Sequence, residues 1–118
     1  MIKIDKLSKK YDKDYVLKDL SCTIKDNSIY GLVGANGSGK STLLRTIMGI
    51  YDTDGGDITV DGSKVYDNDV IKQKMVFVQD DLYFNSNYTL MDTARYYESM
   101  YKNFDMNYLK ELANMLNL

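Results

Sequence analysis

Polar and apolar positions alternate, or β-branched residues cluster, over residues 2–8 and again over 15–24, with the charged Asp12-Lys13-Asp14 turn between them. A period of two puts one set of side chains on a common face, so these stretches are expected to be two strands paired antiparallel. The run IYGLV, residues 29–33, is apolar without alternation and stops at a cluster of glycines, the pattern of a strand covered on both faces. From Lys40 the period changes, and Leu43, Leu44, Ile47 and Ile50 recur at helical spacing until Gly49 and the DTDGG stretch end the pattern. DITVDGSKV then predicts two short strands joined by Asp61-Gly62, a pair suited to the positive φ angles of a tight hairpin. MVFV, residues 75–78, predicts a further buried strand that ends at Gln79. Thr89 and Asp92 stand in capping-box spacing ahead of a helix with Leu90, Ala94, Tyr97 and Tyr101 on one face. A last amphipathic helix is expected in DMNYLKELANMLNL, giving an α/β order overall.

A chain of 118 residues can bury one core, so a single unit is expected. There is no internal repeat, low-complexity tract or proline to mark a boundary. Leu109, Leu112, Leu116 and Leu118 form an apolar stripe that runs to the final residue without a glycine cap or polar stop, which reads as a cut through a longer domain.

Composition narrows the chemistry. Hydrophobic residues make up 44% and charged residues 27%, the balance of a globular protein. A net charge of -2, with a pI of about 5.0, argues against a surface built for nucleic acid. No apolar run approaches the roughly 18 residues of a membrane span, and the N-terminus lacks a secretory pattern, so a cytoplasmic location is expected. The chain has no histidine, which excludes Ser-His and Cys-His nucleophile pairs and the usual zinc sets from these residues. Its one cysteine, Cys22, is expected to be a buried apolar group.

The stretch GLVGANGSGKST, residues 31–42, holds four glycines and one lysine. Within it, Gly34 to Ser41 fits G-x-x-x-x-G-K-[ST], placed after an expected strand and before an expected helix, as phosphate binding requires. Small residues let successive backbone N–H groups turn inward, and the positive end of the helix adds to the field that holds phosphate oxygens. Gly37 and Gly39 would permit that path. Lys40 would reach the β- and γ-phosphates, Ser41 would take one position on a magnesium ion, and Thr42 would meet the α-phosphate. An ordinary glycine turn capping a helix is the plainer alternative.

With these residues in view, GLVGANGSGKSTLLRTIMGIYDTDGGDITVDG and the later VFVQDD resemble the nucleotide-binding domain of an ATP-binding cassette (ABC) transporter, over essentially the whole chain. The resemblance implies a P-loop NTPase core with an N-terminal antiparallel β-subdomain, residues 1–30 and 57–66, a strand-loop-helix unit at 31–50, a Q-loop strand at 75–81 and the start of a helical subdomain at 89–118, the whole being incomplete. It implies ATP and magnesium as ligands, bound by Tyr11, Val16, Gly34, Asn36, Gly37, Ser38, Gly39, Lys40, Ser41 and Thr42. Tyr11 matches the aromatic residue that stacks on adenine, a contact worth roughly 1–3 kcal/mol for any base; with eleven tyrosines in the chain, a surface or strand-packing Tyr is the alternative, and the adenine role is favoured. Gln79 matches the Q-loop glutamine that touches the magnesium or the attacking water, so Lys40 and Gln79 are the candidate catalytic residues and Ser41 and Gln79 the candidate metal ligands.

The same resemblance implies a membrane-spanning subunit and a second nucleotide-binding subunit as partners, and a place at the inner face of the cell membrane. The family's signature stretch, its acidic strand and its switch histidine match nothing in these residues. Asp80 and Asp81 read as solvated loop carboxylates and not as the missing base. Strands from the later half of the family's domain would lie between 29–33 and 75–78, so an exposed apolar seam is expected here. The aromatic set Tyr83, Phe84, Tyr88, Tyr96, Tyr97, Tyr101, Phe104 and Tyr108 either fills a small helical core or lines a groove for membrane helices, and YYESMYKNFDMNYL is similar to exporter-type bacterial members. Two other readings stay open: a cassette ATPase that is not a transporter, and a nucleotide-binding or assembly module without turnover.

Overall fold

The computed structural model describes residues 1–118, which divide into two compact units, Met1–Phe77 and Val78–Leu118. The first is built on a four-stranded antiparallel sheet. Strand β1 (Ile2–Tyr11) pairs with β2 (Asp14–Ile24) on one side and with β3 (Gly55–Val60) on the other, and β4 (Ser63–Lys64) closes the order β2-β1-β3-β4. Both hairpins turn where the sequence places them. Asp61 and Gly62 adopt φ of 49° and 81°, the two positive angles of a turn that keeps the twist of its flanking strands.

Strict alternation along β1 would follow Ile2 and Ile4 with Lys6 on the core face. The structure avoids this with a bulge: β1 spends three steps from Asp5 to Ser8 while β3 spends two from Asp57 to Gly55, and Lys6 sits at φ 47°. The extra residue reverses the side-chain phase, so Leu7 enters the core and is 0% exposed. Opposite the bulge, Gly56 at φ 73° lets the two backbones meet.

Helix α1 (Lys40–Ile47) packs Leu43 and Ile47 into the core with Ile4, Leu7, Ile58 and Val60 of the sheet. It ends in a paired cap, with the Ile50 N–H on the Arg45 carbonyl and the Gly49 N–H on the Thr46 carbonyl, Gly49 being at φ 65°. A single turn, α2 (Asp69–Lys72), is absent from the sequence expectation. Asn68 starts it by accepting from the Ile71 N–H at 3.2 Å, and Ile71 plugs the core beside Val65.

Three expectations are corrected. Residues 29–33 and 75–78 are not strands. A strand exists only through a ladder that satisfies its N–H and C=O groups, and the sheet order leaves neither segment a neighbour. Much of their apolar surface stands in solvent, Ile29 fully, Val33 at 95% exposure and Val76 and Val78 largely, while Met75 packs against the edge of the core. The third is Cys22, expected buried and found exposed. It pairs with Ile4 and shares its face, but β2 is the edge of the sheet and the core does not extend that far.

The second unit holds α3 (Leu90–Met100) and α4 (Met106–Met115), which contact one another. The expected capping box is present: the Asp92 N–H donates to the Thr89 hydroxyl at 3.1 Å and the Thr89 N–H to the Asp92 carboxylate at 3.0 Å. Asp105 caps α4 by accepting from the N–H groups of Asn107 and Tyr108. Ala94 is buried, Tyr97 and Tyr101 stack at 6.3 Å, and Tyr83, Phe84, Tyr88, Tyr96 and Tyr97 border an open cleft of about 280 Å³. No helix is long and apolar enough to cross a membrane.

Candidate phosphate-binding loop

The loop between β2 and α1 is shaped by backbone angles that only some residues accept. A turn closes from the Ser38 N–H onto the Ala35 carbonyl at 3.1 Å, and Gly37 at its third position has φ 81°, which bars most side chains there. Gly39 then caps α1 at φ 92°, with no side chain serving as the cap. The opening N–H groups of the helix, from Lys40 onward, therefore have no partner inside it and face the loop's end of the axis.

Two glycines have a second, steric reason. A Cβ on Gly34 would lie 2.5 Å from the Ser38 Oγ and 3.7 Å from the Lys40 Cδ. One on Gly39 would lie 3.1 Å from Val16 Cγ1, the Val16 carbonyl oxygen and Leu17 Cδ2. The loop is thus seated on β2, against Val16 and Leu17. Lys40 folds over the loop, its ammonium donating to the carbonyls of Gly34 and, at 2.8 Å, Ala35. Ser41 is exposed in the first turn of α1, while Thr42 is buried and its carbonyl accepts from the Thr46 hydroxyl at 2.7 Å.

Tyr11, at the end of β1, comes to the same place from the opposite edge of the hairpin. The Thr42 hydroxyl beside its phenol, followed by that of Tyr51, holds the Tyr11 pKa below its ordinary value. Its residue surface is 46% exposed. The structure therefore brings Tyr11, Val16, Gly34, Asn36, Gly37, Ser38, Gly39, Lys40, Ser41 and Thr42 together in the first unit. Gln79 is exposed and belongs to the second unit, as do Asp80 and Asp81, which are exposed on a loop.

Tyr51 and Asp54, which the sequence did not single out, lie beside these residues. Asp54 donates its N–H to the Ser8 carbonyl at 2.9 Å, and its carboxylate accepts from the Lys10 N–H at 2.7 Å and pairs with the Lys9 ammonium at 3.3 Å. No periodicity marks either residue, because both sit in the irregular connection after α1. The Lys10 N–H first, and the Lys9 ammonium after it, hold the Asp54 carboxyl below the usual 3.8. A carboxyl depressed on folding stabilises the protein above its unfolded pKa, and that contribution is lost as pH falls through the folded value. Asp54→Asn is accordingly expected to lower the melting temperature at pH 7 and to converge on the wild type as pH drops below about 4. A gap that stays constant from pH 7 to 3 would show that the Asp54 charge adds nothing.

An antiparallel sheet flanked by a glycine loop that opens a helix is the N-terminal architecture of a P-loop NTPase. Residues 17–117 match the family model described as ABC transporter, and the chain belongs to that family. The ABC transporter ATP-binding protein YtrB of Bacillus subtilis is 39% identical over 114 residues, covering 97% of this chain and 39% of that protein. A solved ATP-binding subunit of an ABC transporter shares the fold at TM-score 0.85 and 23% identity, over 98% of this chain and 49% of that one. CbiO1 of Clostridium perfringens, part of the ABC transporter complex CbiONQ, has TM-score 0.51 and 31% identity over 53% of this chain and 26% of its own. The chain thus spans about two-fifths of the length of YtrB.

Proposed function

We propose that these residues form the ATP-binding face of a subunit that couples ATP binding and hydrolysis to transport through a separate membrane protein. The observation that carries this reading is the left-handed pair Gly37 and Gly39 leading into a helix whose first side chains are Lys40, Ser41 and Thr42. In this reading the loop N–H groups hold phosphate oxygens, and the Lys40 ammonium exchanges its bonds to the Gly34 and Ala35 carbonyls for the β- and γ-phosphates. Tyr11 offers a ring to the base, and Val16 and Asn36 border the nucleotide.

The donor set fits magnesium. Ser41 presents an exposed hydroxyl one residue from the ammonium, and a hard cation bound through phosphates needs few protein oxygens. Ser41 and Gln79 would hold the ion, which when bound neutralises charge building on the phosphates. Lys40 shares that role, and Gln79 is the candidate to orient the attacking water.

Membership of the ABC transporter family supports a membrane-spanning partner, as does CbiO1, which works within a complex. In the proposed arrangement a second nucleotide-binding subunit completes the ATP site, and the protein sits at the inner face of the cell membrane through its partner. An acidic net charge supports a protein partner over nucleic acid. The test is to express the complete gene product with an affinity tag, purify it from detergent-solubilised membranes and measure magnesium-dependent phosphate release. Recovery of a membrane-spanning protein with ATPase activity is the expected result. Recovery with nucleic acid or ribosomes instead would overturn the transport role, and binding without turnover would leave a nucleotide-binding module.

A further inference from the structure

The end of β1 and the connection leaving α1 are bound together more heavily than sheet formation requires. Asp54 ties down the Ser8 carbonyl and the Lys10 N–H, and Lys9 reaches both the Asp54 carboxylate and the face of Tyr51, its ammonium 5.9 Å from the ring centroid. At the end of this series the Tyr51 ring meets the Tyr11 ring at 6.2 Å between centroids and 89° between planes. Edge-to-face contact of this kind is a favoured aromatic geometry.

Two kinds of contact bear on different motions of Tyr11. Its phenol oxygen, beside the hydroxyls of Thr42 and Tyr51, lies on the axis about which the ring rotates, so those hydroxyls bear on where the axis points and leave the ring free to spin about it. Rotation at that bond is soft and roughly two-fold. A neighbour packed against the side of the ring removes that freedom, and Tyr51 is the aromatic neighbour there. An edge-to-face contact occupies at most one face of Tyr11, and the residue stays 46% exposed.

We propose that Tyr51 is a positioning residue for the nucleobase: it holds the plane of the Tyr11 ring and thereby presets the surface on which the base stacks. The inference rests on the nucleotide-binding reading above and adds to it a residue that does not itself touch the nucleotide. It predicts an effect confined to the base, because the phosphate loop is held by contacts that do not involve Tyr51.

The experiment titrates the purified protein with magnesium-ATP and, separately, with magnesium tripolyphosphate, by calorimetry. Wild type, Tyr11→Leu, Tyr51→Leu and Tyr51→Phe are compared, with thermal melts to establish that each is folded. Tyr51→Leu is expected to weaken ATP binding about fivefold and to leave tripolyphosphate unchanged, approaching the loss seen in Tyr11→Leu. Tyr51→Phe, which keeps the ring and removes only the hydroxyl beside the Tyr11 phenol, is expected to retain most of the wild-type affinity, because the ring contact sets the plane. If Tyr11→Leu loses ATP affinity and Tyr51→Leu does not, the positioning role is overturned by itself. Equal loss of both ligands in Tyr51→Leu overturns it too, because the effect would then be on the loop. If Tyr11→Leu leaves ATP binding intact, the base-stacking reading falls and this inference with it.

Discussion

Gly56→Ala is expected to destabilise the N-terminal unit by about 3 kcal/mol, combining a left-handed backbone penalty of roughly 1–2 kcal/mol with an overpacking cost of similar size. The glycine lies at φ 73°, and a Cβ built there would stand 2.3 Å from the carbonyl oxygens of both Asp5 and Lys6. These are backbone atoms of the neighbouring strand, so no side-chain rotation relieves the clash. Relief would require β1 to move off its bulge, which would return Lys6 toward the core and withdraw Leu7. Against a total stability of about 0.05–0.15 kcal/mol per residue, such a loss removes a quarter or more of what the unit has.

Gly62→Ala supplies the control. Gly62 has φ 81°, but nothing lies within 4 Å of its added Cβ, so it should show the backbone penalty alone, about 1 kcal/mol. Urea denaturation of the two variants separates strain from clash. Equal losses in the two would show that β1 yields to the methyl group and that the bulge is not held in place by Gly56.

Lys40→Ala is expected to weaken binding of magnesium-ATP by about 1.5–3 kcal/mol, roughly 10- to 150-fold, through loss of a charge-assisted bond. The variant should remain folded. The Lys40 ammonium bonds only to the Gly34 and Ala35 carbonyls, which are exposed and can take water in its place. A melting temperature close to that of the wild type, with the affinity loss, is the expected pair of results. Unchanged titrations would overturn the phosphate role of the loop.

One effect comes from a close backbone approach and the other from a side-chain charge beside a glycine loop, and they were unequally legible in the sequence. The Gly37 and Gly39 positions could be read because spacing to Lys40 and Ser41 is a local property, and both lie at positive φ, 81° and 92°, where glycine is favoured. The Asp61-Gly62 turn, the Thr89 capping box and the helix from Lys40 were legible for the same reason: each is decided within a few residues. Gly56 gave no comparable signal. It stands among DTDGG, where the sequence announces only the end of a helix, and its constraint arises from Asp5 and Lys6, some fifty positions away.

Residues 29–33 and 75–78 show the converse. Their composition is that of buried strands, but composition states a preference and pairing needs a neighbour, which the sheet order β2-β1-β3-β4 does not supply. Cys22 is misjudged in the same way, since an apolar residue type says nothing about whether its strand lies at an edge.

Sequence alone determined the elements whose causes are local: hairpin turns, helix caps, and the glycine spacing of the candidate phosphate loop. Tertiary structure decided the phase of β1, the seating of Gly39 on Val16, and the meeting of Tyr11 with Thr42 and Tyr51. The physical reason is one of range. A turn or cap is settled by torsion angles and hydrogen bonds within a few residues, whereas a bulge, a close backbone approach or a ring contact exists only after distant segments have paired.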